Sequence, residues 1–347
     1  MHLLEEILSE DKFRPYDKIK DYQISLYTED DYESLMDLFD HTFPGYMSDE
    51  LWIWKNNKNP FGKLITVLLK DNDNVIASYS VSPKEFLIHG DPISCVQSLD
   101  TMTLSAYRGK GISTYLGNLN YEYARRSKYA YVYGFPNNVS QYLFEVKLEW
   151  NIVIKSEPLL KPISNKTLKT QKKDYNIKKI ENFSNDYNEF WAKIQKKYHL
   201  IINKTKKYLN WRFSEHPEIN YEKYLIIDPE TDEIKAYFVL KKYADQEGNQ
   251  LGHIVDFLIG TDVFERKVDI FKFIEAESTE ILGKTCDSLS FWMPDTQLKR
   301  FCLENLDYKI KPALPYFGYK ILRKDIQLEI LKSLKNWYIT MSNNDIF

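Results

Sequence analysis

The sequence predicts an α/β protein of two tandem domains, each a mixed sheet with helices packed on its faces. The chain has 347 residues, whereas a single domain typically has about 100–200. Short β-type runs alternate with segments of helical periodicity along the whole chain. An internal repeat also gives the two halves the same order of features, which indicates a duplicated domain.

The repeat depends on matched residues at nearly fixed spacing. A tryptophan, a basic residue, four further residues and a proline occur at 54–60 and again at 211–217. Each copy is followed by an apolar strand, a polar turn and a second strand, so the match extends beyond single residues. Two further matches complete the repeat: Asp100 with Asp256, and the pair Pro136 and Leu148 with the pair Pro294 and Leu306.

The predicted domain boundaries follow this repeat and the composition. The first domain takes in residues 1–160 and the second residues 177–325, where the order of strands and helices recurs. Between them, residues 161–176 are Lys-rich and without apolar periodicity, which favours a solvated linker, although such a basic run could also bind an anion. Residues 326–347 predict a C-terminal amphipathic helix and tail.

Each element of the first half is predicted from its apolar spacing. The helix over 30–43 places Leu35, Leu38 and Phe39 on one face, and Ser48 is a suitable N-cap for the next helix. Strand predictions depend on apolar runs bounded by polar turns. In chain order the predicted elements are strand 22–28, helices 30–43 and 48–57, strands 64–70, 75–88 and 94–104, helix 112–128, strand 129–135, short helix 138–150 and strand 151–158.

Composition excludes several classes of protein. With 47 basic and 50 acidic residues the formal net charge is −3, so no overall charge would hold a nucleic acid. The cysteines Cys95, Cys286 and Cys302 are neither paired closely nor spaced with histidines for a metal, and we expect none. The N-terminus lacks a signal-peptide pattern, and no apolar run reaches the roughly 18 residues of a membrane span. We therefore expect a cytoplasmic protein without nucleic-acid or membrane partners.

The segment Arg108-Gly109-Lys110-Gly111 lies between a β-type run and a helical one. The first N–H groups of a helix are unpaired, and its N-terminus carries partial positive charge, which favours an anion. Glycine permits close backbone approach and positive φ, and the two basic side chains suit a pyrophosphate. The spacing is neither that of a Walker A loop nor that of the Rossmann fingerprint. From these residues alone, a phosphate site and a simple tight turn both remain open.

At this segment the chain resembles the GCN5-related N-acetyltransferase (GNAT) superfamily. The family's cofactor motif is Arg or Gln, two residues, Gly, one residue, then Gly or Ala. Residues 108–113 match it except at Ser113, which is small enough to allow close approach. The order of strands and helices is also the family's. The resemblance covers both halves, with the motif only in the first, and implies two tandem GNAT-like domains with mixed, mostly antiparallel sheets.

The resemblance implies that the first domain binds acetyl-CoA, or another acyl-CoA, as a cosubstrate. Backbone groups near Met102, Thr103 and Leu104 would hydrogen-bond the pantetheine arm, and the sheet would splay after this strand, with the thioester in the gap. The matching stretch of the second half has one glycine and Glu265, which would repel phosphate. We expect that domain to bind no coenzyme A and to form one wall of the acceptor pocket. The pyrophosphate would lie against Arg108, Gly109, Lys110, Gly111, Ile112, Ser113 and Thr114.

Acyl transfer to an amine requires a deprotonated amine and a protonated leaving thiolate. Asp100, in the strand that leads to the cofactor site, is a candidate base. It is alternatively a structural carboxylate, since Asp256 holds the same place in the half predicted to be inactive. The family's acid, a tyrosine seven residues after an asparagine, would fall on Phe144 or Glu145. Tyr142, on the same short helix, is therefore the substitute candidate.

Two further groups of residues complete the predicted site. Asn137 and Asn138 begin the short helix, where a side chain would contact the cofactor or cap the helix. In this superfamily the segment after the first strand forms one side of the acceptor cleft, and aromatic residues there would stack on a sugar or an apolar substrate. That segment carries His41, Phe43, Tyr46 and Trp52, whereas the repeated Trp54 and Trp211 are predicted core residues.

The sequence therefore predicts an acetyl-CoA dependent N-acetyltransferase that acts on a small amine, such as an amino sugar, by direct transfer in a ternary complex. An aminoacyl transferase of the peptidoglycan-bridge type also carries two such domains, but the acidic balance and the intact phosphate motif disfavour a tRNA substrate. A non-catalytic module that binds coenzyme A stays open as well, because the family's tyrosine is missing. The oligomeric state is left open.

Overall fold

The computed structural model divides the chain into two compact units, each of which includes segments that are distant in sequence. The first unit consists of Met1–Phe86, Ile93–Lys155 and Pro315–Glu329, and the second of Leu87–Pro92, Ser156–Leu314 and Ile330–Phe347. The structure describes residues 2–163, 175–245, 247–293, 295–311 and 316–345.

The described residues contain α-helices interspersed among the strands of two mixed sheets, which confirms the predicted α/β class. The strands are β1 (Gln23–Leu26), β2 (Ile65–Asp71), β3 (Asn74–Ile88), β4 (Asp91–Thr103), β5 (Tyr131–Gly134), β6 (Asn151–Lys155), β7 (Leu159–Pro162), β8 (Asn176–Ile180), β9 (Leu200–Ile202), β10 (Glu222–Ile227), β11 (Ile234–Ala244), β12 (Gln250–Ile259), β13 (Ser288–Phe291), β14 (Lys309–Ile310), β15 (Tyr316–Ile321) and β16 (Trp337–Tyr338). The helices are α1 (His2–Ser9), α2 (Tyr32–Thr42), α3 (Asp49–Asn56), α4 (Ile112–Arg126), α5 (Asn185–Ile194), α6 (Lys206–Leu209), α7 (Phe264–Leu282) and α8 (Thr296–Asn305).

The first unit contains a mixed sheet with the strand order β1-β2-β3-β4-β5-β15-β6. β2 pairs antiparallel with both β1 and β3, whereas β4 and β5 are parallel. The parallel pair requires a crossover connection, and α4 provides it. β15 is antiparallel to both β5 and β6. The predicted mixed sheet is therefore confirmed.

The second unit repeats this arrangement in the order β14-β7-β13-β12-β11-β10-β8. β10 pairs antiparallel with β8 and β11, and β11 pairs antiparallel with β12. β12 and β13 are parallel and are connected through α7. The two sheets thus correspond strand by strand, which confirms the duplicated fold.

The last strand of each repeat lies in the sheet of the other. β7 follows β6 in the chain but pairs with β13 and β14, and β15 follows β14 but lies between β5 and β6. The predicted boundaries, 1–160 and 177–325, therefore differ from the two units. Consecutive elements are usually neighbours in space, but duplicated sheets offer two equivalent positions for this strand, and sequence patterns do not distinguish between them.

Each unit has its own hydrophobic core. In the first unit, α4 buries Ile112, Leu116 and Leu119 at helical spacing. α1 adds Leu4 and Ile7 to the same core. α1 is absent from the predicted elements, because its 8 residues span little more than two turns of helix. In the second unit, α7 covers the sheet in the way that α4 does in the first.

The α-helix predicted over 326–347 is wrong for the described residues. They form short 3₁₀ turns at Glu329–Lys332, Leu334–Asn336 and Met341–Asn343, together with β16, which is parallel to β9. The indole Nε1 of Trp337 donates to the Leu331 carbonyl at 2.9 Å. Apolar residues of this segment are thus buried individually and do not form one helical face.

Two other predictions are only partly covered by the structure. Residues 164–174 of the predicted linker and Pro294 lie outside the described residues. Residues 161 and 162, also assigned to the linker, belong to β7. The short helix predicted over 138–150 contains one π-helical turn, Leu143–Lys147.

Candidate active site

β4 continues beyond its parallel ladder with β5. The ladder reaches the pair Gln97 and Tyr133, and β5 stops at Gly134, whereas β4 runs on to Thr103. Asp100 has φ +48°, and a left-handed residue inside a strand changes its direction locally. The predicted cofactor gap would therefore lie beside the last residues of β4.

The backbone at the end of β4 already has partners within the chain. The Leu104 N–H donates to the Ile76 carbonyl at 3.0 Å, and the Thr103 hydroxyl donates to the Met102 carbonyl at 2.8 Å. Arg108 Nε donates to the Thr103 carbonyl at 3.0 Å. Because a carbonyl oxygen has two lone pairs, each can accept a second hydrogen bond. The pantetheine role of these residues stays a prediction.

The loop before α4 has the backbone of an anion site. Gly109 has φ +76° and Gly111 φ +82°, in the left-handed region that glycine adopts readily. Gly111 is the N-cap of α4 and supplies no side-chain cap, and the Tyr115 N–H donates to the Gly111 carbonyl at 3.1 Å. The amides of residues 112–114 precede this bond and have no acceptor within the helix. They are therefore positioned to bind an anion.

Two cations flank this loop. Arg108 is exposed, and apart from the Nε bond to Thr103 its guanidinium has no hydrogen-bond partner among the described residues. Lys110 Nζ lies 4.9 Å from the centre of the Tyr107 ring, a cation–π contact that keeps the ammonium close to the loop. The partial positive charge of the α4 N-terminus adds to these two charges. The arrangement suits a pyrophosphate.

Ser113, the departure from the family motif, is accommodated inside the first turn of α4. Its hydroxyl lies 3.2 Å from the Thr103 hydroxyl, so it faces the end of β4. The side chain is half-buried. The extra oxygen is thus hydrogen-bonded within the protein, and the loop conformation tolerates serine where the family has glycine or alanine.

The structure adds Tyr16 to the loop, a residue that the sequence prediction missed. Its hydroxyl donates to the Lys110 carbonyl at 2.6 Å. Burial raises the pKa of Tyr16 above its usual value, so the hydroxyl remains a proton donor at neutral pH. No local sequence pattern could reveal this contact, because the two residues are 94 positions apart.

Asp100 lies in a buried ion pair with Lys55. The Lys55 ammonium is 3.0 Å from one carboxylate oxygen and 3.2 Å from the other. Lys55 also donates to the Tyr46 hydroxyl at 3.2 Å. Both carboxylate oxygens therefore accept a hydrogen bond from Lys55, which favours a structural role for Asp100. Its role as a base stays a prediction.

Asp256, the counterpart of Asp100, is also paired with a lysine in the second unit. Lys204 Nζ lies 2.6 and 2.9 Å from its two oxygens, and both side chains are fully buried. Tyr237 and Thr340 donate to the same carboxylate at 2.7 and 2.8 Å. Burial lowers the pKa of Lys204, although the adjacent carboxylate opposes this effect. Both repeats thus carry, on the strand before the crossover, an aspartate that pairs with a buried lysine, although the lysines hold different positions in the repeat because Lys55 matches Arg212.

Tyr142 and the two asparagines lie on the surface of the first unit. Tyr142 is 61% exposed and immediately precedes the π-helical turn. The Asn137 side-chain oxygen accepts from the Val139 and Ser140 N–H groups at 3.0 and 2.9 Å, which favours the capping interpretation. Asn138 is also exposed. The cofactor contacts predicted for the two asparagines and the acid role of Tyr142 stay predictions.

The aromatic residues predicted for the acceptor side divide into core and surface. Trp52 is 2% exposed and belongs to the cluster that α2 and α3 form with the sheet. Phe43 is 43% exposed, and its ring centre lies 6.0 Å from that of the partly buried Tyr46. His41 is exposed, and its Nδ1 lies 2.7 Å from the Asp37 carbonyl. Trp54 and Trp211 are buried, as predicted.

The part of the chain that the structure describes gives no support for a metal site or for a reactive cysteine thiol. These residues contain no group of three or more His, Cys, Asp or Glu side chains that could hold a metal ion. Burial raises the pKa of Cys95 and of Cys302 to about 12, so neither thiol is ionised at neutral pH. In the same described residues, none of the helices has the length and hydropathy of a membrane span.

A family model supports the domain that contains this loop. The model of the acetyltransferase (GNAT) domain matches residues 23–152. That range takes in β4, the glycine loop, α4 and β5. No curated protein sequence matches the chain.

Solved structures with the same fold extend the likeness over most of the chain. A conserved protein from Enterococcus faecalis V583, described as a probable N-acyltransferase, is 13% identical with a TM-score of 0.67, covering 87% of this chain and 73% of that one. A GCN5-related N-acetyltransferase from Anabaena variabilis is 11% identical with a TM-score of 0.66 and the same coverages, 87% and 73%. N-myristoyltransferase from Saccharomyces cerevisiae, solved with bound myristoyl-CoA, is 14% identical with a TM-score of 0.60, covering 94% and 91%.

Proposed function

Residues 23–152 belong to the GNAT superfamily, and from this premise we propose that the protein is an acyl-CoA dependent N-acyltransferase. We assign acetyl-CoA as the acyl donor and a small amine, such as an amino sugar, as the acceptor. Both substrates would be bound together, with direct transfer between them. The first unit would carry the reaction.

The observation that carries this proposal is the glycine loop at the N-terminus of α4. Gly109 and Gly111 both have positive φ. The loop follows β4, which extends beyond its parallel pairing with β5. A pyrophosphate would accept hydrogen bonds from the amides of residues 112–114, while Arg108 and Lys110 would balance its charge. A strand end followed by an anion-binding helix N-terminus matches the two parts of coenzyme A, the pantetheine arm and the phosphates.

Acyl-CoA supplies an activated thioester, and the protein has to place an amine against its carbonyl carbon. The amine loses a proton as the new amide bond forms, and the sulfur leaves as a thiolate that takes up a proton. We assign the proton donor to Tyr142, which is open to solvent. Asp100 would need to give up both contacts with Lys55 to act as a base. We therefore assign it to holding the bend in β4, which positions the thioester.

The acceptor assignment depends on the aromatic residues between α2 and α3. Phe43 is exposed and packs against Tyr46, so the pair offers an apolar surface to a ligand. The face of a sugar ring or a short apolar group can pack on such rings. The amine itself would then extend towards the end of β4.

Calorimetric titration of acetyl-CoA into the purified protein tests the proposal. We expect about one equivalent to bind with micromolar affinity, roughly −8 kcal/mol, and Gly111→Asp to abolish the heat by placing a carboxylate in the phosphate site. Gly248→Asp is the matched control. Gly248 also has positive φ, and a Cβ added there would meet nothing within 4 Å, so the substitution reproduces the backbone strain in the second unit.

Two outcomes would contradict the proposal. Absence of binding to the wild type would leave the loop as a simple turn, and equal binding by Gly111→Asp would place coenzyme A elsewhere. Where binding is confirmed, release of free thiol in the presence of an amine panel separates an enzyme from a module that only binds coenzyme A. The module would bind with no thiol release.

A further inference from the structure

The chain begins with a segment that lies outside the matched family domain. We call residues 2–22 the N-terminal arm, because the family model starts at residue 23. The arm is packed into the first unit: Leu4 and Ile7 of α1 are buried in its core, as are Phe13 and Ile19. The arm therefore has a fixed position relative to α4.

From this position the arm contacts the glycine loop through Tyr16. The Tyr16 hydroxyl donates to the Lys110 carbonyl at 2.6 Å. Its ring packs edge to face on Tyr115 of α4, with ring centres 5.8 Å apart and an interplanar angle of 79°. Tyr115 in turn donates to the Phe13 carbonyl of the arm at 2.7 Å. The ring contact, together with the buried Phe13 and Ile19, holds the Tyr16 hydroxyl beside the loop.

The hydrogen bond from Tyr16 to the Lys110 carbonyl also sets the direction of the Gly111 N–H, because both groups belong to the same peptide. The carbonyl of Lys110 and the N–H of Gly111 belong to one planar trans peptide, so they point in opposite directions. When Tyr16 holds the carbonyl, the Gly111 N–H is directed to the side away from Tyr16. The arm thus selects one orientation of this peptide.

Gly111 fits this arrangement and few other residues would. A Cβ at position 111 would lie 3.3 Å from the Tyr16 hydroxyl oxygen, closer than an ordinary van der Waals contact, and the residue has φ +82°. At Gly109, which has φ +76°, a Cβ would meet nothing within 4 Å. The close approach of the arm is therefore specific to the peptide that precedes α4.

A second contact connects the arm to the side chain of the same residue. Lys110 Nζ lies 5.9 Å from the centre of the Tyr22 ring and 4.9 Å from that of Tyr107. Tyr22 and Tyr107 pack edge to face with ring centres 5.8 Å apart. The carbonyl of Lys110 is thus restrained by Tyr16 of the arm. Its ammonium is restrained by Tyr22 of the arm and by Tyr107, which packs on Tyr22.

We propose that the N-terminal arm completes the phosphate site and that Tyr16 is the residue that positions its loop. Tyr16 acts through the Lys110 carbonyl and does not itself contact the ligand. It holds the 110–111 peptide in the orientation that presents the Gly111 N–H alongside the amides of residues 112–114. This inference rests on the proposed function, since it assigns the loop to the phosphates of an acyl-CoA.

Tyr16→Phe tests the proposal in the full chain, with Tyr115→Phe as the matched control. Each variant removes one hydroxyl from the same ring pair, but only the Tyr16 hydroxyl contacts the loop. We expect Tyr16→Phe to weaken acetyl-CoA binding about fivefold to tenfold, as loss of one hydrogen bond predicts. Tyr115→Phe should change the affinity less than twofold.

Hydrogen exchange in the ligand-free protein gives a second readout that a general packing defect would not reproduce. Tyr16→Phe should speed exchange of the loop amides at 109–112 and leave the amides in the middle of α4 unchanged. Equal affinity and equal exchange in Tyr16→Phe and the wild type would overturn the proposal, as would an equal loss of affinity in both variants. If the wild type binds no acyl-CoA, the proposed function fails, and exchange alone then decides whether Tyr16 restrains the loop.

Discussion

The Lys55 ammonium lies 3.0 Å from one oxygen of Asp100, and the two side chains are only 6% and 3% exposed. Lys55 lies in α3 and Asp100 in β4, so the pair connects α3 to the strand that leads to the glycine loop. Asp100 also has φ +48°. The ion pair therefore stabilises β4 at the residue where its backbone departs from extended geometry.

Asp100→Asn should destabilise the protein strongly. Asparagine tolerates the left-handed backbone, so the main effect is an uncompensated Lys55 charge in a buried site. Breaking such a pair costs about 3–5 kcal/mol in the free energy of unfolding. Urea denaturation of the single variant measures this loss.

The double variant Lys55→Met, Asp100→Asn separates the structural role of the pair from catalysis. Removing both charges should restore most of the lost stability. Transfer activity should then remain within a few-fold of the wild type. A restored stability with activity lower by a hundredfold or more would instead identify Asp100 as the base.

Gly109→Ala and Gly111→Ala should differ, although both glycines have positive φ. Alanine at 109 meets no neighbour within 4 Å, so only the left-handed strain of about 1–2 kcal/mol is expected. Alanine at 111 adds a 3.3 Å contact with the Tyr16 hydroxyl and should displace Tyr16. We therefore expect similar melting temperatures and at least fivefold weaker acetyl-CoA binding for Gly111→Ala than for Gly109→Ala. Equal affinities would argue against a role for the 110–111 peptide.

Local patterns predicted the elements around the site well. The run over 75–88 appears as β3, Asn74–Ile88, because a continuous apolar stretch bounded by polar turns has few alternatives. Ser48 caps α3 as expected, since its hydroxyl accepts from the Leu51 N–H at 3.2 Å. α4 begins at Ile112, directly after the glycine turn, as predicted. Each of these features is set by residues only a few positions apart.

Contacts between distant residues could not be predicted in the same way. The Tyr16 hydroxyl meets the Lys110 carbonyl across 94 positions, and the motif that predicts the loop contains no information about the arm. Lys55 and Asp100 were each visible as polar residues, but their pairing depends on how α3 packs on the sheet. The exchange of β7 and β15 between the sheets depends on which of two equivalent positions each strand occupies.

The stability of α4 should depend on pH through Glu122. Hydrogen bonds from Arg125 are the main reason that the pKa of Glu122 is lowered from 4.5 to about 2, and Arg126 contributes as well. Because the folded pKa lies below the unfolded one, this stabilisation is present above about pH 4.5 and is lost as the pH falls towards 2. Glu122→Gln should lower the free energy of unfolding by about 1 kcal/mol at pH 7. The free energy of unfolding of this variant should also fall less steeply below about pH 4.5 than that of the wild type.

The control for this experiment is Glu304→Gln, which removes an exposed helical pair with Arg300. Exposed pairs of this kind contribute little, so its unfolding free energy should follow that of the wild type at every pH. If Glu122→Gln showed the same steep loss of stability between about pH 4.5 and 2 as the wild type, the acid sensitivity would belong to other carboxylates.

β15 comes from the end of the second repeat but lies in the sheet of the first unit. A substitution in β15 should therefore destabilise the unit that carries the glycine loop. A Cβ at Gly318 of β15 would lie 2.9 Å from the Ile152 Cδ1 and 3.0 Å from the Asn151 carbonyl oxygen, and the backbone oxygen cannot move away without disturbing β6. Gly318→Ala should therefore lower the free energy of unfolding by about 1–3 kcal/mol. Hydrogen exchange should speed up in β5 and β6, which flank β15, while β12 and β13 keep their protection. Faster exchange in β12 and β13 with β5 unchanged would place β15 in the other sheet.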